Sequence, residues 1–161
     1  MNARPTILLA ALAAALLGRP SQAAPPLTPA ALSPCTFAAT EVQEVFGLKV
    51  ATSERSDMNI PRGRDLGCVY TFEGSSLEVQ IRQTWDDARP SSASAASEKG
   101  AKPLAGDPDG AAWKAGEAER PGSGGELVYT RGKVQVRVVV RGGRLTGTEA
   151  LQRLLRLRRV P

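Results

Sequence analysis

Between Cys68 and Arg82 the chain alternates apolar and polar residues with a period of two, broken once by Glu73-Gly74-Ser75-Ser76. Cys68, Tyr70 and Phe72 fall on one side before the break, and Leu77, Val79 and Ile81 after it. A helix scatters residues at that spacing around its axis. Two antiparallel strands joined by a turn collect them on one buried face and leave the other wet. The pattern returns with Leu127 and Tyr129, a turn at Arg131-Gly132, and Val134, Val136, Val138 and Val140. An antiparallel sheet is therefore the frame into which the remaining segments must fit.

Those segments supply helices and further strands. Thr36 to Phe46 is predicted as a short helix with Thr36 as its cap, Phe37, Val42, Val45 and Phe46 on its apolar side and Gly47 as its stop. Lys49–Ser53 is expected as a strand, residues 57–67 as loop, and Ser92–Lys99 as a weak helix. Gly106–Gly110 is a turn, and Ala111–Glu119 a strand whose Trp113 fills the core. Thr146 and Glu149 have capping-box spacing ahead of an amphipathic helix over Ala150–Arg159. The sum is an α+β fold, an antiparallel sheet of about six strands with helices packed on one face. Val69-Tyr70-Thr71 recurs as Val128-Tyr129-Thr130, each ahead of a turn and a Val-Gln-(Ile/Val)-Arg strand. The echo suggests two similar strand-strand-strand-helix halves sharing the sheet, and convergent hairpin patterning is the alternative.

The N-terminus carries an address. Arg4 precedes an unbroken apolar run from Ile7 to Leu17, then Gly18, Arg19 and Pro20 break it, and Ser21-Gln22-Ala23 offers small residues for cleavage. This is a signal-peptide pattern, and the run is far short of the roughly 20 residues that span a bilayer. The expected organisation is a signal peptide over 1–23, a flexible leader over 24–34 and one α+β domain over 35–161, exported to the periplasm or secreted, with no integral membrane segment after cleavage.

Export makes the thiol chemistry readable. The two cysteines, Cys35 and Cys68, are expected to form a structural disulfide, since an even count in an oxidising compartment pairs. The spacing is unlike that of a redox pair. There is no histidine, which excludes His-based triads, His general bases and His metal ligands. With only two Cys, a Cys-only zinc site is excluded as well.

The remaining motifs read as ordinary structure. Gly106-Asp107-Pro108-Asp109-Gly110 begins like a calcium loop, but Ala118 stands where the closing Glu belongs, leaving a turn. Gly122-Ser123-Gly124-Gly125 lacks the Lys and helix of a phosphate cradle. The close carboxylate pairs, Asp86-Asp87 and Glu117/Glu119, are expected in solvent. No catalytic constellation, cofactor motif or metal set is read from the chain.

The charge is uneven. Residues 131–161 hold nine Lys or Arg against the single acid Glu149, whereas residues 24–130 hold ten bases against fifteen acids. Arg137, Arg141, Arg144, Arg153, Arg156 and Arg159 are the candidate contact with an anionic partner, either a protein or an anionic envelope component. Trp85, at a strand end, is the candidate aromatic anchor. Nucleic acid is not expected, because export and scarce aromatics argue against it. The function read from the sequence is an exported non-catalytic interaction module. A small-ligand carrier with an apolar cavity and an enzyme using carboxylates alone are the alternatives.

The order of these features resembles a class of small exported bacterial domains of unknown function, often lipoproteins. The resemblance rests on Cys35 before a helix with Glu41-Val42 and Phe46-Gly47, Cys68-Val69-Tyr70 opening a hairpin, and Gly106-Asp107 ahead of Ala111-Ala112-Trp113. Leu127, Gly132 before a Val-rich strand, and a closing Leu-rich helix complete it. It departs in lacking a lipid-attachment Cys behind the apolar run. It implies an α+β fold with an antiparallel sheet and brings no catalytic residues.

Overall fold

The computed structural model describes residues 28–89, 100–116 and 120–160. Seven strands form one sheet: β1 (Val50–Ile60), β2 (Gly63–Phe72), β3 (Glu78–Asp86), β4 (Lys102–Pro103), β5 (Ala112–Ala115), β6 (Gly125–Arg131) and β7 (Val134–Arg141). Their order is β1-β2-β3-β7-β6-β5-β4, with every neighbour antiparallel. Two helices, α1 (Ala39–Phe46) and α2 (Gly147–Arg156), pack on one face. The fold is the α+β sheet expected. The additional strand is β4, whose two residues are too few to show a period.

The two hairpins bury the residues their alternation selects. Leu66, Cys68, Tyr70 and Phe72 of β2, Val79 and Ile81 of β3, Leu127 and Tyr129 of β6, and four valines of β7 face the helices. Val42, Val45 and Phe46 of α1 and Ala150 and Leu154 of α2 cover them, joined by Leu157 and Val160 beyond α2. Trp113 lies in this core, as expected. Its indole crosses Gly125 so closely that a Cβ there would sit 1.9 Å from Cη2, which only glycine permits.

Three segments depart from expectation for physical reasons. The span read as loop over residues 57–67 is the end of β1 and the start of β2, around a tight turn at Pro61-Arg62. Every residue of β1 between its ends is exposed, so neither face is covered and no alternation marks it. Helix α1 starts at Ala39, not Thr36, and Ala38 makes no side-chain cap bond. The carbonyls of residues 36 and 37 are engaged elsewhere: Thr36 accepts Arg158 Nη2 at 2.6 Å and Phe37 accepts the Tyr70 hydroxyl at 2.6 Å. The expected leader docks at its end, with Leu32 buried and the Ser33 carbonyl accepting Gln83 Nε2 at 2.5 Å. That bond satisfies the amide nitrogen of a Gln buried on an apolar face, whose Oε1 has no partner among the described residues. The helix expected over Ser92–Lys99 lies outside the described residues, as does the distal part of the strand expected over Ala111–Glu119.

The disulfide is present, Cys35 to Cys68 with Cα atoms 5.0 Å apart, and it ties the segment before α1 to the centre of β2. At the other end Thr146 and Glu149 form the expected capping box. Glu149 donates its N–H to Thr146 Oγ1 at 3.3 Å, and Thr146 donates its own to Glu149 Oε2 at 2.8 Å. The Thr146 N–H, with the Thr146 hydroxyl donating to the same oxygen at 3.0 Å, holds the Glu149 carboxyl below its usual range.

The sheet is two three-stranded meanders, β1-β2-β3 and β5-β6-β7, meeting at the β3–β7 seam, with β4 added beyond β5. Tyr70 stands opposite Val79, and Tyr129 opposite Val136. Val79 therefore corresponds to Val136 and Ile81 to Val138, and Ile81 and Val138 are themselves paired. An approximate twofold axis passes through that pair. The sequence echo instead aligned Val79 with Val134, two residues out of step, because the first hairpin has the longer turn. Among the described residues only the second meander is followed by a helix.

Candidate functional site

The six candidate arginines do not share a surface. Arg137 and Arg141 are on β7 but point to the face away from the helices, since the alternating valines take the inward positions. Arg144 lies between β7 and α2, and Arg153, Arg156 and Arg159 lie on or beyond α2.

Several of them are committed to the fold. Arg137 pairs with Glu126. On the same row Arg82, directly opposite Arg137, grips Asp65 in a bidentate pair, so two adjacent arginines are each neutralised by an outer strand. Asp65 is the deeply buried carboxylate of the described residues, and Thr84 Oγ1 also donates to it at 3.2 Å. Both oxygens are occupied, so it is an anchor for Arg82. Arg153 Nη1 donates to the Val45 carbonyl at 2.7 Å, near the C-terminal end of α1, where a cation also meets the negative end of the helix dipole.

Arg159 belongs to a further internal cluster. It pairs with Asp107 and lies over the Tyr129 ring, 4.6 Å from its centroid. Arg131, whose side chain is 9% exposed, pairs with Asp109 at 3.2 Å and donates to the Val160 carbonyl. The Asp-Pro-Asp-Gly turn thus binds two arginines. Its remaining capacity serves its own backbone, with Asp107 Oδ1 accepting the N–H groups of Asp109 and Ala111. The sequence showed the turn but not its partners, which come from β6 and from beyond α2.

Arg141, Arg144 and Arg156 remain. They are exposed and make no hydrogen bond or ion pair among the described residues. The face of the sheet that carries Arg141 has bases matched by acids, with Lys114, Arg82, Arg137 and Arg141 against Glu54, Asp65, Glu78 and Glu126. It has no excess charge to attract an anion.

Arg144 stands in a different setting, at the rim of a cleft of about 590 Å³. The end of α1, the β2–β3 turn and the β7–α2 corner form it. Phe46, Leu48, Leu77 and Leu145 supply its apolar surface, and polar groups around Gly74, Ser75, Ser76, Gly143 and Arg144 line an equal share. The corner is held in place. Gly142 and Gly143 have φ values of 68° and 66°, and a Cβ on Gly142 would lie 2.1 Å from the Ser76 carbonyl oxygen. Gly143 N–H donates to Ser76 Oγ at 3.1 Å, and Leu77 N–H to Ser75 Oγ at 3.1 Å. Lys49 and Glu73, paired at 2.7 Å, stand beside it. No motif marks this site in the sequence, because its residues come from three separate stretches, around 46–48, 74–77 and 143–145.

Trp85 is at the end of β3, half-buried against the core, opposite Val134 and Arg64. It lines a shallow hollow with Pro61, Arg62 and Ala88, far along β3 from the Arg144 cleft. The acids Asp86 and Asp87 beside it face Arg62 at 3.9 Å and Lys133 at 2.7 Å. Glu117 and Glu119 lie outside the described residues. The described residues contain no cluster of metal-ligating groups and no helix long and apolar enough to cross a membrane. Comparison with protein-family models, curated proteins and solved structures finds no match to this chain.

Proposed function

We propose that this is an exported, non-catalytic binding module whose cleft takes an amphipathic anion, with the apolar part against Phe46, Leu48, Leu77 and Leu145 and the anionic group at Arg144. The observation that carries the reading is the pairing of a cleft of about 590 Å³, lined by apolar and polar surface in equal part, with a guanidinium that has no partner among the described residues. That volume falls within the range of small-molecule sites. Placing the anion at the rim keeps the arginine in water, so no unpaired charge has to be buried. Export is supported by the pattern over residues 1–23 and by a disulfide of the kind that persists outside the cytosol. On this reading the contact surface is one arginine and its apolar neighbours, in place of the whole basic C-terminal region.

Titration with decyl phosphate and with uncharged decanol tests the reading. Saturable binding is expected for the phosphate, with Arg144→Glu weakening it at least about tenfold, one charge-assisted contact being lost. Absence of saturable binding, or equal affinity in the Arg144→Glu protein, overturns it.

A further inference from the structure

The sheet has two unlike edges. β4 closes one with two residues, and β1 closes the other with eleven, all exposed between its ends. Along its outer side β1 presents backbone N–H and C=O groups that no strand among the described residues pairs, a template for strand addition. There is no proline or lysine within Val50–Ile60 to block it. The register irregularity against β2 lies between Val50 and Thr52, which leaves Thr52–Ile60 regular.

We infer that β1 pairs antiparallel with β1 of a second copy of this chain, joining two seven-stranded sheets across a twofold axis. Charge selects the register. A twofold axis normal to the sheet puts one residue opposite itself and keeps like faces together. An axis at Glu54, Arg55 or Asp57 sets identical charges against each other, which destabilises a strand pair. An axis at Met58 shortens the overlap and leaves Arg55 outside it. An axis at Ser56 pairs Thr52 through Ile60 and sets Arg55 opposite Asp57 of the second copy, twice by symmetry.

The side chains around this axis suit it. Arg55 makes no hydrogen bond or ion pair within its own chain among the described residues. Asp57 accepts Arg64 Nε and Nη2 at 2.8 and 2.5 Å, and a carboxylate has lone pairs left for a second guanidinium. Arg64, Asp57 and Arg55 of the second copy then form an alternating row across the seam. Ser56 folds over Gly67, where a Cβ would lie 2.3 Å from its hydroxyl, which keeps the centre of the seam uncrowded. The charges that guard this edge against a foreign strand become complementary when the strand meets itself.

Sedimentation velocity of the purified protein, with amide exchange of β1 followed at the same concentrations, tests the inference. A dimer that dissociates on dilution is expected. Exchange of the outward-facing amides within Thr52–Ile60 slows at least about tenfold as the dimer fills, because the seam pairs them. Arg55→Asp, which opposes Asp57 of the second copy, raises the dissociation constant by about tenfold or more, two cross-strand attractions having become repulsions. A monomer at every concentration, exchange that ignores concentration, or a dimer left intact by Arg55→Asp overturns it.

Discussion

The buried hydroxyl of Tyr129 accepts the backbone N–H of Val160 at 2.9 Å, binding the end of the chain to the middle of β6. Its counterpart Tyr70 donates to the Phe37 carbonyl at 2.6 Å and binds the approach to α1. Two tyrosines at corresponding places in the meanders therefore hold the two ends of the domain. Tyr70→Phe and Tyr129→Phe are each expected to lower stability by about 1 kcal/mol, and Tyr129→Phe by more, since it leaves a buried N–H without an acceptor. Burial pushes the Tyr129 phenol up to about 12 and raises that of Tyr70 as well. A raised value means that the folded state keeps a proton the unfolded chain gives up. The contribution is whole below pH 10 and is lost as pH rises from 10 to about 12. Denaturant midpoints across an alkaline series should fall in that window, and the fall should be shallower in Tyr129→Phe. Superimposable curves would refute it.

The disulfide should be a structural staple. Intact-mass measurement of the oxidised protein is expected to be lighter by two hydrogens than its reduced form. Cys35→Ala should cost about 2–5 kcal/mol in urea unfolding. Cys68 is fully buried beneath the helices, so reduction in the native state should be slow and should accelerate under partial denaturation. Rapid native-state reduction with no change in midpoint would mark the bridge as redox-active instead.

Arginines separate into internal and external by substitution. Arg131→Ala leaves Asp109, 11% exposed, without its cation and should cost about 3–5 kcal/mol. Arg156→Ala, with no partner to lose, should change stability by less than about 0.5 kcal/mol. Thermal unfolding of the two variants side by side measures the contrast, and equal effects would dissolve it.

The hairpins, the capping box, the closing helix and the disulfide were legible because each is written in neighbouring residues: Cys68 to Ile81 by alternation, Thr146 and Glu149 by spacing, Cys35 and Cys68 by count. β1 was not, because a strand wet on both faces has no hydrophobic period. The arginines were misleading as a group because proximity in sequence is undone by the sheet. Arg137 and Arg153 end on opposite sides of it, each held by a partner that sequence cannot name, Glu126 for one and the Val45 carbonyl for the other. The Arg144 cleft needed the β2–β3 turn and the β7–α2 corner to be brought together. Glycines at 142 and 143 were the trace it left, and in a chain rich in glycine that trace did not stand out.

The strand order also bears on how the polypeptide leaves the ribosome. β3 and β7 are centre-sheet neighbours, so the growing chain holds half a sheet with an open inner edge until β7 has been made. The first meander alone lacks α2 and the valine strand that seals it, and pairings of such long sequence separation form late. Topology thus makes β7 the strand on whose arrival the core closes.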